Sequence, residues 1–529
     1  MRILLFFLTL QVLLFSCSQE DKRTATEIFR DEDVDIEDKI ERALKSDYLD
    51  SLGVDSTASK ILRDVYAKRE YEPIWIDEST VAERGINFEK LKKNALKLGV
   101  PSSRFFNLPK DSLCWIDSEI NYTLQFAGLV RDLDSGFVDI KKKSMKQLKL
   151  AEGARVNLLF EKIDEQTNVA PLLLSCGPKN VAYKKMAKWV YTHYDLASIE
   201  TSCELDETES VDFSRSGELF KALKVHGFIE KFVSEDDVKN KLHDFQQANG
   251  IEPDDKIGKY TAKAFKETPQ SKFLRAVINL DRMRQYRRDL SSSVHINIPE
   301  FLLRYYYNNK LKATHRLVVG AVATPTPEVY SSMDRIILYP YWSVPSSIAK
   351  NEIMPSLRNG SGYIKRNNMK LFRDGSEVNP DSIDWTTIPS GSCPFSFKQD
   401  PGRGNSLGII KFDFPNPYHV YVHDTPTKHL FSKEFRAYSH GCMRCQFPVK
   451  LARTIYHYDS NGDVPLVSDS NYVDKRLKNK GHGSIKLKKK VPVFVEYCSV
   501  VYRKNQVVHL IDVYNYDKRY FNLFIQQNN

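Results

Sequence analysis

The hydrophobic period of this chain changes near residue 290, and that change dictates two kinds of architecture in one polypeptide. Between 50 and 200, apolar residues recur at helical spacing, as in Ile61-Leu62-Val65-Tyr66 and the run Leu91-Leu96-Leu98. The stretch Tyr66 to Trp75 predicts a helix stopped near Pro73, with the Trp75 indole plugging a core. Beyond 290 the runs turn β-branched and alternating. Val294-His-Ile-Asn-Ile-Pro, His315 to Val322, Arg335 to Pro340, His419 to His423, Val491 to Tyr497 and Val507 to Val513 predict strands. Helical character returns over Val449 to Tyr458. The implied fold class is multidomain α+β: a helical scaffold over 46–210 and a β-rich domain over 285–515, with 345–400 a polar excursion between strands. The basic run Lys486 to Lys490 reads as a solvated turn.

A compact unit stands between them at 211–270. One helix is predicted from Gly217 through Leu223. A second, from Asp236 or Asp237, carries Val238, Leu242 and Phe245 at i, i+4 and i+7, which stacks them on one face. Asn249-Gly250 is a helix stop, and Ile251 to Gly258 makes a tight loop before a third helix, Tyr260 to Glu267. The string FQQANGIEPDDKIGKYTAKAF is similar to the small three-helix peptidoglycan-binding domain. A generic three-helix bundle has the same periodicity, and a fold alone assigns no ligand.

The chain has 529 residues, room for about three or four domains at roughly 150 residues each. Its 41% hydrophobic and 28% charged content excludes a disordered, collagenous or polytopic membrane protein. The net charge of +10 is mild at this length and suits nucleic acid or an anionic envelope polymer equally. The N-terminus decides between them. Met1-Arg2, the apolar run Ile3 to Phe15 and Ser16-Cys17 read as an export signal, too short for a comfortable membrane span. Leu14-Phe15-Ser16-Cys17 resembles a bacterial lipobox, so residues 1–17 are expected to end on a lipidated Cys17, with 18–45 as a polar tether. The expectation is an exported, periplasmic lipoprotein of a Gram-negative bacterium, held to the membrane by its lipid and without a nucleic-acid partner. Eight Cys occur, at 17, 114, 176, 203, 393, 442, 445 and 498. Removing Cys17 leaves an odd number, so at least one thiol is unpaired in an oxidising compartment.

The segment 422–448 carries the chemistry. A thiol nucleophile needs a nearby base and a donor pocket for an oxyanion. Cys442 follows Gly441, which permits close backbone approach, and it precedes a predicted helix whose N-terminus would depress a thiol pKa. His423 closes a strand 19 residues earlier, so a returning loop can bring its imidazole to the sulfur. Taken singly, an exported Cys reads as structural and a strand His as a satisfied core residue; the spacing and flanks together favour catalysis. A thioredoxin-type Cys442/Cys445 pair lacks its βαβ context, and His419/His423 lack the Glu of a zinc helix, so no metal is expected. Asp424, Arg436 and Tyr438 carry no assignment and read as solvated loop residues.

Ser439-His440-Gly441-Cys442 with Arg444 two residues on, and His423 upstream, resembles the L,D-transpeptidases of the YkuD fold. YWSVPSSIAKNEIMPSL (341–357), PGRGNSLGIIKFDFPNPYHVYVHDTP (401–426) and RAYSHGCMRC (436–445) are similar to the large Gram-negative members, which join a scaffold, a peptidoglycan-binding domain and a catalytic domain with a capping insertion. The resemblance implies Cys442 as acylated nucleophile, His423 as general base oriented by a backbone carbonyl, and the Gly441 and Cys442 N–H groups as oxyanion hole. It places Ser439 and His440 in the pocket, and Arg444 and Tyr421 toward substrate. Cys445 stands where the family has an aliphatic residue, which puts redox sensitivity of Cys442-Met-Arg-Cys445 in play. The implied reaction cross-links peptidoglycan tetrapeptide stems with release of D-Ala and needs no cofactor. The 345–400 segment would cover the donor stem, and 211–270 would hold glycan strands. An L,D-carboxypeptidase of the same fold and a non-catalytic wall-binding protein remain as alternatives.

Overall fold

The computed structural model describes residues 34–77, 80–105, 115–139, 144–145, 154–286, 290–358, 360, 362–462 and 472–525. The expected signal segment with Cys17, most of the tether and Cys114 lie outside them. Within the tether, Ile36–Lys45 is a packed helix rather than a linker. Ile40, Ala43 and Leu44 fall on one helical face and are buried, which gives this segment a core to join. No helix among the described residues is long and apolar enough to cross a membrane.

Two compact units form. The first holds residues up to 179 with 190–192, and the second holds 180–189 and 193–525. The first is helical, with Ser56–Ala67, Glu83–Lys93 and Trp115–Ser135 around an aromatic core. Trp75 is fully buried and stacks on Phe88 at 5.0 Å. The helix before it ends at Ala67, ahead of Pro73, because Glu70 and Tyr71 adopt left-handed backbone. Glu119 then accepts the N–H groups of Ile74, Trp75 and Ile76, doing for this extended segment what a neighbouring strand would do. The scaffold was expected to reach 210. Residues 193–210 instead pack on the second unit, where Tyr194 meets Phe273 edge-on and Gln270 N–H bonds the Ile199 carbonyl.

In the second unit, α1 (Gly217–Val225), α2 (Glu235–Ala248) and α3 (Lys259–Lys266) form three short helices over a shared core. Ser234 caps α2 by accepting from Asp237 N–H, with three acids in the first turn. Phe245 stacks on Phe265 at 3.7 Å, and the Gln246 amide ties down the loop through Asp254 and the Lys256 carbonyl. Next comes α4 (Pro269–Gln285), buried along most of its length. Its Arg275 and Arg282 face Asp517, which is wholly buried, and Arg282 also donates to the Tyr497 carbonyl. These buried ion pairs fix the C-terminal segment to α4.

The β-rich domain is one large sheet. Its strands are β1 (Ser292–Asn297), β2 (Leu302–Tyr307), β3 (Lys310–Gly320), β4 (Val329–Leu338), β5 (Ile410–Asp413), β6 (Val422–His423), β7 (Ala437–Ser439), β8 (Met443–Cys445) and β9 (Gly483–Glu496). Their order is β7-β3-β8-β6-β5-β4-β9-β1-β2, and β2 also pairs β3, so the sheet closes on itself as a barrel. Val294, Leu303, Ile336, Phe412, Val422 and Met443 fill it, and α5 (Pro448–Asn461) packs Leu451, Ala452 and Ile455 against them. The Lys486–Lys490 run is not a turn: it is a bulge inside β9, where the pairing to β4 slips between Lys486 and Val491.

The 345–400 segment, expected as a polar excursion, folds with the strand just before it into a cap over 342–399 that has its own sheet and core. Strands Trp342–Ser343, Met369–Arg373, Ser376–Val378 and Ser396–Gln399 make the sheet. Ile353, Leu357, Ile364, Leu371, Trp385 and Phe397 are buried beneath it.

Candidate active site

The geometry starts with β6 and β8, which run parallel and pair Val422 with Met443 and His423 with Arg444. Antiparallel β5 sits on the other side of β6 and pairs Lys411 with His423. Directly opposed residues share a face, so Lys411, His423 and Arg444 form one cross-strand row. Tyr421, two residues before His423, lies on that same face, and the two rings meet at 5.7 Å. Met443 N–H bonds the Tyr421 carbonyl at 2.9 Å and brings Cys442 alongside.

The loop before β8 is pinned at every residue. Ser439 Oγ donates to the Cys442 carbonyl and accepts Gly441 N–H at 3.3 Å. Thr326 Oγ1 donates to the Gly441 carbonyl at 2.7 Å and accepts Gly320 N–H at 2.8 Å. Gly441 has φ +110°, a conformation side chains rarely adopt, and this turn lets Cys442 leave the sheet edge toward the cleft. Cys442 N–H makes no hydrogen bond among the described residues. It is therefore the free donor for an oxyanion, whereas Gly441 N–H is already engaged.

The imidazole of His423 is buried and its Nδ1 bonds the Asp424 carbonyl at 2.5 Å. That bond fixes the ring and leaves Nε2 without a partner among the described residues. Burial first, then the Arg444 charge, pushes the His423 pKa down to about 3, so the ring is a neutral base. Burial raises the Cys442 thiol, opposed by bonds from Tyr421 and by the Lys411 and Arg444 charges. At neutral pH the resting pair is thiol and imidazole. The Tyr421 phenol is pushed up by burial and by Cys442, and it takes a hydrogen bond from Trp342 of the cap. Lys411 Nζ lies 4.1 Å from the Tyr421 ring and 3.1 Å from Asp413. The half-buried Arg444 guanidinium has no carboxylate partner among the described residues, and burial lowers its pKa. A free guanidinium beside a nucleophile is a site for a carboxylate. Together these groups can acylate a thiol and hold an anionic acyl donor.

Sequence comparison agrees with this geometry. Residues 291–478 match the model of the L,D-transpeptidase catalytic domain, YkuD, and residues 60–189 match that of the scaffold domain. A Haemophilus influenzae protein named "Putative L,D-transpeptidase" is 29% identical over 236 residues, which cover 44% of this chain and 46% of that protein. The chain thus spans less than half the length of this curated relative. Among solved structures, the Ldtfm-avibactam carbamoyl enzyme shares 12% identity over 39% of this chain and 49% of its own, with a TM-score of 0.16. An L,D-transpeptidase from Xylanimonas cellulosilytica shares 12% identity over 56% and 98%, with a TM-score of 0.17. Those scores are too low to bear on the fold.

Within the matched segment, Cys442, His423, Tyr421 and Arg444 come together around the β6–β8 pair, with Ser439 and Gly441 inside the loop that carries the thiol. His440 meets Glu352 of the cap through its Nε2. Three expectations need correction. Cys442 does not precede a helix: β8 intervenes and α5 begins at Pro448, so no helix dipole reaches the thiol and burial raises it instead. Cys445 does not face Cys442. Strand alternation turns Met443 and Cys445 into the barrel core, where Cys445 is fully buried and bonds the Gln446 carbonyl. Cys442 and Cys445 are not joined in a disulfide. Asp424 and Arg436 are not solvated loop residues. Asp424 is buried, accepts Ile409 N–H and pairs with Lys428, while Arg436 donates to the carbonyls of Leu317 and Lys433. Only Tyr438 is exposed. The sequence reading missed Lys411, Trp342 and Glu352. Lys411 is visible in hindsight as a lone cation in the alternating Ile410–Asp413 strand; the two cap residues give no signal without the fold.

Proposed function

We propose that this protein is an L,D-transpeptidase that cross-links peptidoglycan stems through an acyl-enzyme on Cys442. The observation that carries the reading is a partly buried thiol, on the loop that leads into β8, set beside the β6 strand that carries a buried, neutral imidazole whose Nδ1 is held by a backbone carbonyl. As the sulfur attacks the carbonyl between stem residues three and four, His423 Nε2 takes the thiol proton. Cys442 N–H receives the developing oxyanion. The proton then passes from His423 to the departing D-Ala amine, the C–N bond breaks, and a thioester remains. The side-chain amine of a second stem attacks that thioester, its proton returns to sulfur through His423, and a link between two third residues results. Arg444 holds a donor carboxylate. The thiol does the covalent work, so the reaction draws on no cofactor.

The anchoring belongs to the same reading: a lipid on Cys17 tethers the chain to a membrane facing the periplasm, and the 211–270 unit holds glycan strands while the cap covers the donor stem. The same thioester chemistry makes Cys442 a target for carbapenems, which would add their own mass to it.

The test incubates protein lacking residues 1–20 with disaccharide-tetrapeptide beside a Cys442→Ala control, with products read by mass spectrometry. Dimer plus free D-Ala, absent from the control, is the expected result. Tripeptide alone would make the enzyme an L,D-carboxypeptidase, and no turnover would leave a wall-binding protein.

A further inference from the structure

The reaction above needs a second substrate, and nothing on the donor side of the thiol suits it. The acceptor is a primary amine, an ammonium ion at neutral pH. The row Lys411–His423–Arg444 is flanked by two cations and repels it. The nearby carboxylates of Asp413 and Asp424 are already committed to Lys411 and Lys428. Across the nucleophile loop the charge is reversed. His440, two residues before Cys442, meets the Glu352 carboxylate through Nε2, and the cap delivers Glu352 from a π-helical turn at Ala349–Ile353. The two side chains are 44% and 50% exposed, so a ligand in solvent reaches them. The other charged or titratable groups facing the pair are few: Lys350 shares the turn, and the half-buried Tyr363 phenol feels the Glu352 charge.

We propose that Glu352 and His440 form the acceptor site, binding the ammonium of the incoming stem and removing its first proton. The inference rests on the acyl-transfer reading given above and specifies its second half. With Nε2–H donated to Glu352, His440 Nδ1 is the open base. The ammonium gives one proton to Nδ1, and the resulting imidazolium is held by the Glu352 carboxylate. The amine lone pair then forms the new C–N bond as the C–S bond breaks. Its second proton reaches sulfur through His423, and His440 returns its own to water, which matches the proton that the released D-Ala amine takes up and leaves no net proton per cross-link. Water needs no such capture, which makes this pair the element that separates transpeptidation from hydrolysis.

The experiment uses the full chain without residues 1–20 and disaccharide-tetrapeptide as both donor and acceptor. The readout is the ratio of dimer to tripeptide, which divides out any change in acylation. Glu352→Gln should lower that ratio about tenfold and raise the acceptor concentration at half-saturation, with Glu352→Asp recovering part of both. Hydroxylamine, a nucleophile that is neutral at pH 7, should intercept the Glu352→Gln acyl-enzyme as well as it does the wild type. An unchanged ratio would overturn the site, as would equal loss with hydroxylamine, which would mean that Glu352 only shapes the cap. Wild-type protein yielding tripeptide alone would also overturn it. Wild-type protein releasing no D-Ala at all would instead overturn the parent reading.

Discussion

The barrel and the cap solve opposite problems with similar residues. The barrel closes its sheet through β2 and β3 and buries side chains from every strand and from α5. The cap closes nothing: four short strands and a few short helical segments cover one small cluster around Leu371, Trp385 and Phe397. A closed sheet fixes positions, and the groups proposed to meet the acyl donor (Cys442, His423, Tyr421, Arg444) all stand on its strands or on the segments that lead into them. A small core with free edges opens more easily, and the cap supplies only contacts at the rim, through Trp342 and Glu352. Precision sits on the rigid element and access on the loose one.

The strongest way to break this division is to remove the barrel's chemistry. Cys442→Ala should cut D-Ala release by at least about a thousandfold, and His423→Ala by about a hundredfold or more, in single-turnover assays. Loss of less than tenfold for His423→Ala would mean that another base serves the thiol. Arg444→Met comes next. Losing a charge-assisted carboxylate contact should lower kcat/KM by about ten- to a hundredfold, mainly through KM. An effect confined to kcat would remove Arg444 from donor binding.

Core truncations sharpen the contrast. Phe397→Ala should cost about 3–5 kcal/mol, more than a small cap can absorb. Proteolytic cleavage should then appear within 345–395 while barrel amides keep their exchange protection. Val495→Ala in β9 removes apolar volume from the barrel and should lower global stability by about 2 kcal/mol without a new local cleavage site. Simultaneous loss of protection in both regions for Phe397→Ala would show that the two fold as one.

Acidity separates the regions as well. His423 is held neutral to about pH 3, against 6.5 when unfolded. Between those values the unfolded chain binds a proton that the folded barrel refuses, so this group makes stability rise with pH across the window and fall as pH drops toward 3. His423→Gln should flatten that slope by up to about 1.4 kcal/mol per pH unit. The acid limb of acylation should accordingly fall well below pH 6.5. A limb at 6.5 or above would contradict a buried, neutral base. The smallest effect belongs to Cys445→Val, which keeps a buried apolar group in the barrel; D-Ala release should stay within about twofold, and in the wild-type protein mild oxidant should form no Cys442–Cys445 disulfide.

The sequence made the barrel legible because its strands repeat the plain signals of alternation and β-branching, and because the motif 439–444 is contiguous. His423 to Cys442 needed only a parallel strand pair to become a site. Three things were hidden. Cys442 was read against the helix starting at Pro448, because a three-residue strand such as β8 carries too few positions to announce itself. The cap core is assembled from residues spread over 353–397 among polar ones, so no window shows a period. Helix α4 buries Arg275 and Arg282 against Asp517, more than 200 residues downstream, a pairing that inverts the usual rule for charged residues.

The central claim is that a neutral Cys442–His423 pair, brought together where β6 pairs with β8, transfers an acyl group through sulfur. Rapid-quench intact-mass analysis after mixing with disaccharide-tetrapeptide tests it most directly. An adduct of tetrapeptide minus D-Ala, mapped to Cys442, formed slowly in His423→Ala and absent in Cys442→Ala, is the predicted result. D-Ala release with no adduct, or an adduct on another residue, would contradict the account.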